Sequence, residues 1–108
     1  MARLIIKLSP EKLSNPDADL RYDIPNILAE RTGGSLEDDG YDYLDDNSMV
    51  IHMVSHHPDT DVPRAIEILQ TETIHGNHIL DAALIVLIDN KIQKVVFPKD
   101  FTGDIILD

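Results

Sequence analysis

The stretch that decides the fold is SMVIHMVS, residues 48–55. Val and Ile are among the residues most enriched in strands, so this run predicts a strand. Asp46-Asn47 comes just before it, and both residue types tolerate the positive φ of a tight hairpin turn. We therefore expect residues 40–45 to form the partner strand of a hairpin, with an acidic and tyrosine-rich sequence.

Further strands are predicted on both sides of this hairpin. Residues 3–8 alternate between two faces, as a strand does. Residues 82–88 are apolar on both faces, and Asp89-Asn90 predicts a turn into a last strand at residues 92–97. The stretch 101–107 could add a short edge strand.

Two helices separate these strands. The first is predicted over residues 24–32, because Pro25 lacks a backbone donor and places the start near Asp23, a plausible N-cap. The second is predicted over residues 61–72, with Asp61 as its cap. Its buried stripe is expected to contain Val62, Ala65, Ile66 and Leu69.

This order predicts a single α+β domain over residues 1–108. The expected architecture is a two-layer sandwich, with a mainly antiparallel sheet and both helices on one face. The simplest topology is a ferredoxin-like βαββαβ core with an extra C-terminal strand.

Composition excludes several function classes. The chain has 108 residues, no cysteine and 5% aromatic residues, which excludes thiol catalysis and disfavours a base-stacking binder of single strands. There is neither a long apolar run nor a leader pattern, so we expect a cytoplasmic protein without membrane contact. The net charge of −11 disfavours direct binding of nucleic acid.

The negative charge is concentrated in the middle of the chain. Residues 32–63 contain eight carboxylates and neither Lys nor Arg. A surface of one sign speeds association with a partner of opposite sign, and tyrosine is enriched at protein interfaces. The alternative is a solvated acidic face. We predict a partner-binding surface made of Glu37, Asp38, Asp39, Tyr41, Asp42, Tyr43, Asp45 and Asp46.

The apolar strand at 82–88 raises a separate question. In a two-layer fold one face meets water, yet either alternating set of this strand is aliphatic. The uncovered set is expected either to form a homodimer seam or to be covered by the C-terminal residues.

Catalytic and metal motifs are weak. There is no nucleophile elbow, no phosphate loop and no Ser with an evident base. Residues 35–46 only loosely imitate a calcium loop, because Ser35 and Asp46 stand at its two ends where an EF-hand has Asp and Glu. The five histidines are interpreted as loop and surface residues: His52, His56, His57, His75 and His78. We therefore expect neither a cofactor nor a metal.

At Asp19-Leu20-Arg21-Tyr22-Asp23-Ile24-Pro25 and at Asp38-Asp39-Gly40-Tyr41-Asp42-Tyr43 the chain resembles small acidic immunity proteins of bacterial polymorphic-toxin and contact-dependent inhibition systems. The resemblance implies a non-catalytic antitoxin that neutralises a cognate basic toxin, such as a nuclease. Two alternatives remain open: a dimeric ferredoxin-like regulatory or sensor domain, and a metal-dependent enzyme using His and carboxylates.

Overall fold

Two helices pack against one face of a five-stranded antiparallel sheet in the computed structural model, which describes all 108 residues. The elements in chain order are β1 (Ala2–Leu8), α1 (Leu20–Arg31), β2 (Leu36–Tyr43), β3 (Met49–Ser55), α2 (Pro58–Thr71), β4 (Thr73–Ile74), β5 (Asn77–His78), β6 (Ala83–Asp89) and β7 (Ile92–Phe97). The large sheet has the order β2-β3-β1-β6-β7, which leaves β2 and β7 at its edges. The predicted α+β class with a mainly antiparallel sheet is confirmed. Neither helix is long and apolar enough to cross a membrane.

The sheet differs from a simple ferredoxin sheet. A fifth strand, β7, extends it beyond β6, and β4 and β5 form a small separate hairpin that was not predicted. This hairpin turns at His75 and Gly76, which both have positive φ. The stretch 101–107 is not an edge strand; it lies over the sheet face that the helices leave open.

The main core lies between the helices and the sheet. Alternate residues of β1 point into it, because successive side chains of a strand face opposite sides. The helices contribute their buried stripes, and α2 buries Val62, Ala65, Ile68 and Leu69. The predicted stripe of α2 is confirmed except for Ile66, which is half-buried and packs at the margin while Ile68 takes the central place.

Helix α1 begins four residues earlier than the sequence predicts, and Pro25 lies inside it. The N-cap position is Asp19 rather than Asp23. Pro25 removes one helical hydrogen bond, but starting at Leu20 lets Leu20 and Ile24 reach the core with no exposed surface. Burial of these side chains therefore outweighs the local preference of proline.

Helix α2 also begins earlier, at Pro58, so the prediction that Asp61 caps it is wrong. His57 has the N-cap position, and Pro58 follows at the first helical position, where its missing N–H costs nothing. Asp61 lies in the first turn and is 4% exposed.

The two predicted hairpins are present with adjusted bounds. Strand β2 covers residues 36–43 rather than 40–45, since buried Leu36 pairs with Ser55. The first turn covers Asp45–Asn47 rather than Asp46-Asn47 alone: the Asn47 N–H donates to the Leu44 carbonyl at 2.9 Å across Asp45 and Asp46, and Asn47 has φ 67°. The second turn uses residues 90–91 rather than 89–90, because Asp89 still pairs with the first residue of β7.

Candidate acidic interface

All eight predicted contact residues lie along one edge of the sheet. Six belong to β2, and Asp45 and Asp46 belong to the turn that follows it. Every one of the eight is exposed. The tertiary structure thus brings the predicted residues together on one edge strand and its turn.

A bulge interrupts the pairing of β2 with β3 between Asp38 and Tyr41. Gly40 sits in it with φ 96°, a region that favours glycine, and the Asp38 side chain accepts the Gly40 N–H at 3.0 Å. A bulge and charged side chains are also the devices that keep an edge strand from pairing with another copy of itself.

A cluster of three tyrosines lies on the helix side of this edge. The rings of Tyr22 and Tyr41 meet edge to face with centroids 5.9 Å apart, and Tyr41 meets Tyr43 in the same way. The Arg21 guanidinium lies 4.7 Å from the centroid of Tyr22 and 5.0 Å from that of Tyr41. The three tyrosine residues are between 38% and 46% exposed. We call these four residues the tyrosine cluster.

Arg21 has an unusual environment in so acidic a chain. It forms no ion pair with any carboxylate, and its Nε is buried without a hydrogen-bond partner. The hydroxyls of Tyr43 and then Tyr22 raise the pKa of Arg21 above its ordinary value. Sequence reasoning did not assign Arg21 or Tyr22 to the surface. Nothing in their spacing relates them to β2, because packing of α1 beside β2 creates the cluster.

Two histidines face the acidic edge on the other side of the sheet. His52 Nε2 lies 3.0 Å from Asp42 Oδ2, and its Nδ1 lies 2.8 Å from the Arg3 guanidinium. Because arginine can only donate, Nδ1 is the acceptor, and the Nε2–H group donates a hydrogen bond to Asp42. His56 pairs with Glu37 at 2.9 Å. Both histidines were expected to be plain surface residues, yet each orients a carboxylate of the edge.

The remaining histidines also have partners. His75 bonds to Asp23, and this contact raises the pKa of His75. His78 lies 3.1 Å from Asp81, which raises the pKa of His78. No three His, Asp or Glu side chains come together as ligands for a metal ion.

His57 belongs to a polar knot around the buried Asp61 carboxylate. Asp61 Oδ2 accepts hydrogen bonds from Ser35 Oγ at 2.7 Å, Ser55 Oγ at 2.8 Å and the His57 N–H at 3.1 Å. His57 Nδ1 lies 3.0 Å from the same Ser35 hydroxyl. In a hydrolase triad the imidazole lies between the carboxylate and the hydroxyl, whereas here the hydroxyl lies in the middle. The knot joins the start of β2, the end of β3 and the start of α2.

The open face of the sheet has its own small core. Ile5, Val50 and Val86 are buried there, and partly buried side chains cover them. Those side chains are Leu44, Leu84, Ile88, Val95, Ile105 and Leu107. The aliphatic face considered as a dimer seam is therefore covered in part by the C-terminal residues of the same chain.

Three comparisons with known proteins, against family models, curated proteins and solved structures, give no match.

Proposed function

We propose that this protein is a non-catalytic binding protein that acts as an immunity protein in the cytoplasm. It would neutralise a cognate basic toxin, such as a nuclease, by docking the acidic β2 edge into the cleft of the toxin. The observation that carries the proposal is the edge itself, where six exposed carboxylates and two exposed tyrosines line one strand and its turn.

One carboxylate of this edge, Asp46, has its ionised form stabilised by the fold. A hydrogen bond from the Ser48 backbone lowers the pKa of Asp46 further below its ordinary value. No Lys or Arg occurs between Arg31 and Arg64. A toxin that binds nucleic acid carries a positive groove for phosphates, and an edge of this charge would be attracted to it.

The tyrosine cluster supports a defined contact as well as general attraction. Tyr and Arg, with Trp, are enriched at the energetic centre of protein interfaces, while Asp and Glu are depleted there and the rim is polar. Arg21 and Tyr22 extend the contact surface from β2 to the start of α1. We assign the cluster to the centre of the interface and the carboxylates to its rim.

We also propose a more specific fold for the domain. A ferredoxin-like βαββαβ core extended by β7 is supported by three features. Every neighbouring pair of the sheet is antiparallel, β1 lies between β3 and β6, and both helices contribute to a single core.

The test compares two variants, each with two Asp→Lys substitutions but at different places on the surface. In the edge variant, Asp39→Lys and Asp45→Lys replace carboxylates that have no hydrogen-bond partner in the fold. In the control variant, Asp89→Lys and Asp100→Lys make the same change of net charge near the opposite edge. Binding to the toxin encoded beside the gene is measured by stopped flow at several salt concentrations.

We expect the edge variant to associate about tenfold more slowly than the control at low salt, with a flatter salt dependence. In cells that express the toxin, co-expression of the control variant should restore growth, and co-expression of the edge variant should restore it less well. Equal association rates for the two variants would contradict the proposal, since net charge alone would explain the attraction.

A further inference from the structure

The C-terminal segment, residues 101–108, lies across the open face of the sheet without regular structure. Ile105 and Leu107 turn toward the small core of Ile5, Val50 and Val86, while Ile106 between them is 54% exposed. This alternation is that of an extended chain with one face buried.

Few bonds hold this segment in place. Its backbone makes one hydrogen bond to protein backbone, from the Phe101 N–H to the Pro98 carbonyl at 3.3 Å. The other hydrogen bond is from Lys7 Nζ to the Ile106 carbonyl at 2.9 Å. No ladder connects it to a strand, so its attachment depends on two apolar side chains and one lysine.

Two open surface pockets flank the segment. A cavity of about 560 Å³ lies between Ile106–Asp108 and the β2–β3 turn. A second cavity, of about 330 Å³, lies on the other side, lined by Phe101 and Asp104 of the segment and by residues of β6. The segment is therefore a strap with open space on both sides.

We infer that the open face is a binding groove for an extended peptide, and that the C-terminal segment is its built-in competitor. The ligand has apolar side chains two residues apart, which enter the places of Ile105 and Leu107, and a carbonyl between them that accepts a hydrogen bond from Lys7. A tethered segment has an effective concentration in the millimolar range, so a free peptide must compete against it. This inference does not depend on the immunity function.

The probe is a labelled synthetic peptide, FTGDIILD, with the sequence of residues 101–108. The released variant carries Ile105→Asp and Leu107→Asp in the full chain. The matched control carries Thr102→Asp and Ile106→Asp, which add the same two charges at exposed positions of the same segment. Binding is followed by fluorescence anisotropy, and light scattering reports the oligomeric state.

We expect saturable binding to the released variant, and at least tenfold weaker binding to the unmodified protein and to the control, because their own segment competes. A peptide carrying the two Asp substitutions should bind none of them. Equal affinity for all three proteins would overturn the inference, as would a released variant that dimerises and ignores the peptide.

A second measurement needs no substitution in the protein. The unmodified, isotope-labelled protein is titrated with the peptide at millimolar concentration, and the methyl resonances of Ile5, Val50 and Val86 are followed by NMR. Displacement of the strap should shift these methyl signals progressively. If the signals stay unchanged at millimolar peptide, a separate peptide does not enter the groove and the inference is refuted.

Discussion

Replacing Asp61 with alanine tests the role of the polar knot. The Asp61 carboxylate is 4% exposed and accepts three hydrogen bonds, from Ser35, Ser55 and the backbone of His57. Those donors come from three separate elements. Asp61→Ala should therefore loosen the contact between β2, β3 and the start of α2.

The magnitude follows from the donors that are left behind. A buried donor without a partner costs about 1–3 kcal/mol. The Ser55 hydroxyl and the His57 N–H lose the acceptor that they have in the structure, whereas the half-buried Ser35 can turn to His57 or water. We expect a loss of about 3 kcal/mol in the free energy of unfolding, a large share of the stability of a small domain. At this chain length that loss lowers Tm by about 15 °C.

The assay is urea unfolding followed by circular dichroism, with Asp59→Ala as the control. Asp59 is exposed in the same first turn of α2, so its removal costs only its interaction with the helix dipole, about 0.3–1 kcal/mol. If the two variants lost the same stability, the knot would contribute no more than surface electrostatics, and the reasoning would be refuted.

The pH dependence of the same variant provides a second check. Burial by itself would raise the pKa of Asp61, but the hydrogen bonds from Ser35, Ser55 and His57 outweigh it and lower the pKa below the ordinary 3.8. A lowered pKa in the folded state contributes stability that is complete above the unfolded pKa and is lost as the pH falls through the folded pKa. The free energy of unfolding of Asp61→Ala should therefore decrease less steeply with falling pH than that of the unmodified protein. An unchanged slope would contradict the assignment.

Three other predictions concern separate parts of the molecule. Asn77→Ala should lower the free energy of unfolding in urea by about 2 kcal/mol, because the Asn77 side chain is 1% exposed and makes two 2.7 Å hydrogen bonds with the Asn15 backbone. A loss below about 0.5 kcal/mol would contradict this role of Asn77. The hydrogen bond to Asp23 raises the pKa of His75 above its ordinary 6.5, and an NMR titration should show this. The pair therefore stabilises the fold fully at pH values below 6.5, and this contribution is lost as the pH rises through the raised pKa of the folded state. Asp23→Asn should lower the pKa of His75, because the hydrogen bond to Asp23 is the largest of its causes, while Asp17 and Asp19 still act on it. An unaltered titration would exclude Asp23 as the main cause. Tyr41→Ala should speed dissociation of the proposed toxin complex with little change in the association rate, in contrast to the charge reversals; a change confined to the association rate would remove the cluster from the centre of the interface.

The strands of the large sheet and its two hairpin turns could be predicted from the sequence because the signals that form them are local, whereas the short β4–β5 hairpin was not predicted. Strand β3 follows from its Val and Ile content, and the turn that contains Asp46 and Asn47 follows from residues that tolerate positive φ. The acidic edge was also predictable, because its carboxylates and tyrosines come from one stretch of chain and share one strand and turn.

The helix starts were predicted less well, because burial competes with local preference. Pro25 and Asp61 both suggest a later start in the sequence. In the structure, the gain from burying Leu20 and the hydrogen bonds that surround Asp61 favour longer helices. A boundary of this kind depends on what the helix packs against.

By itself, the sequence determined the α+β class, the two hairpins of the large sheet and the position of the negative charge, since alternation, turn chemistry and charge are properties of neighbouring residues. The tertiary structure alone decided that Arg21 stacks on tyrosines from two elements, that His52 orients Asp42, and that the C-terminal segment covers the open face. These contacts join residues far apart in the chain. Their partners are selected by which surfaces the packed helices and sheet bring together, and no local pattern encodes that choice.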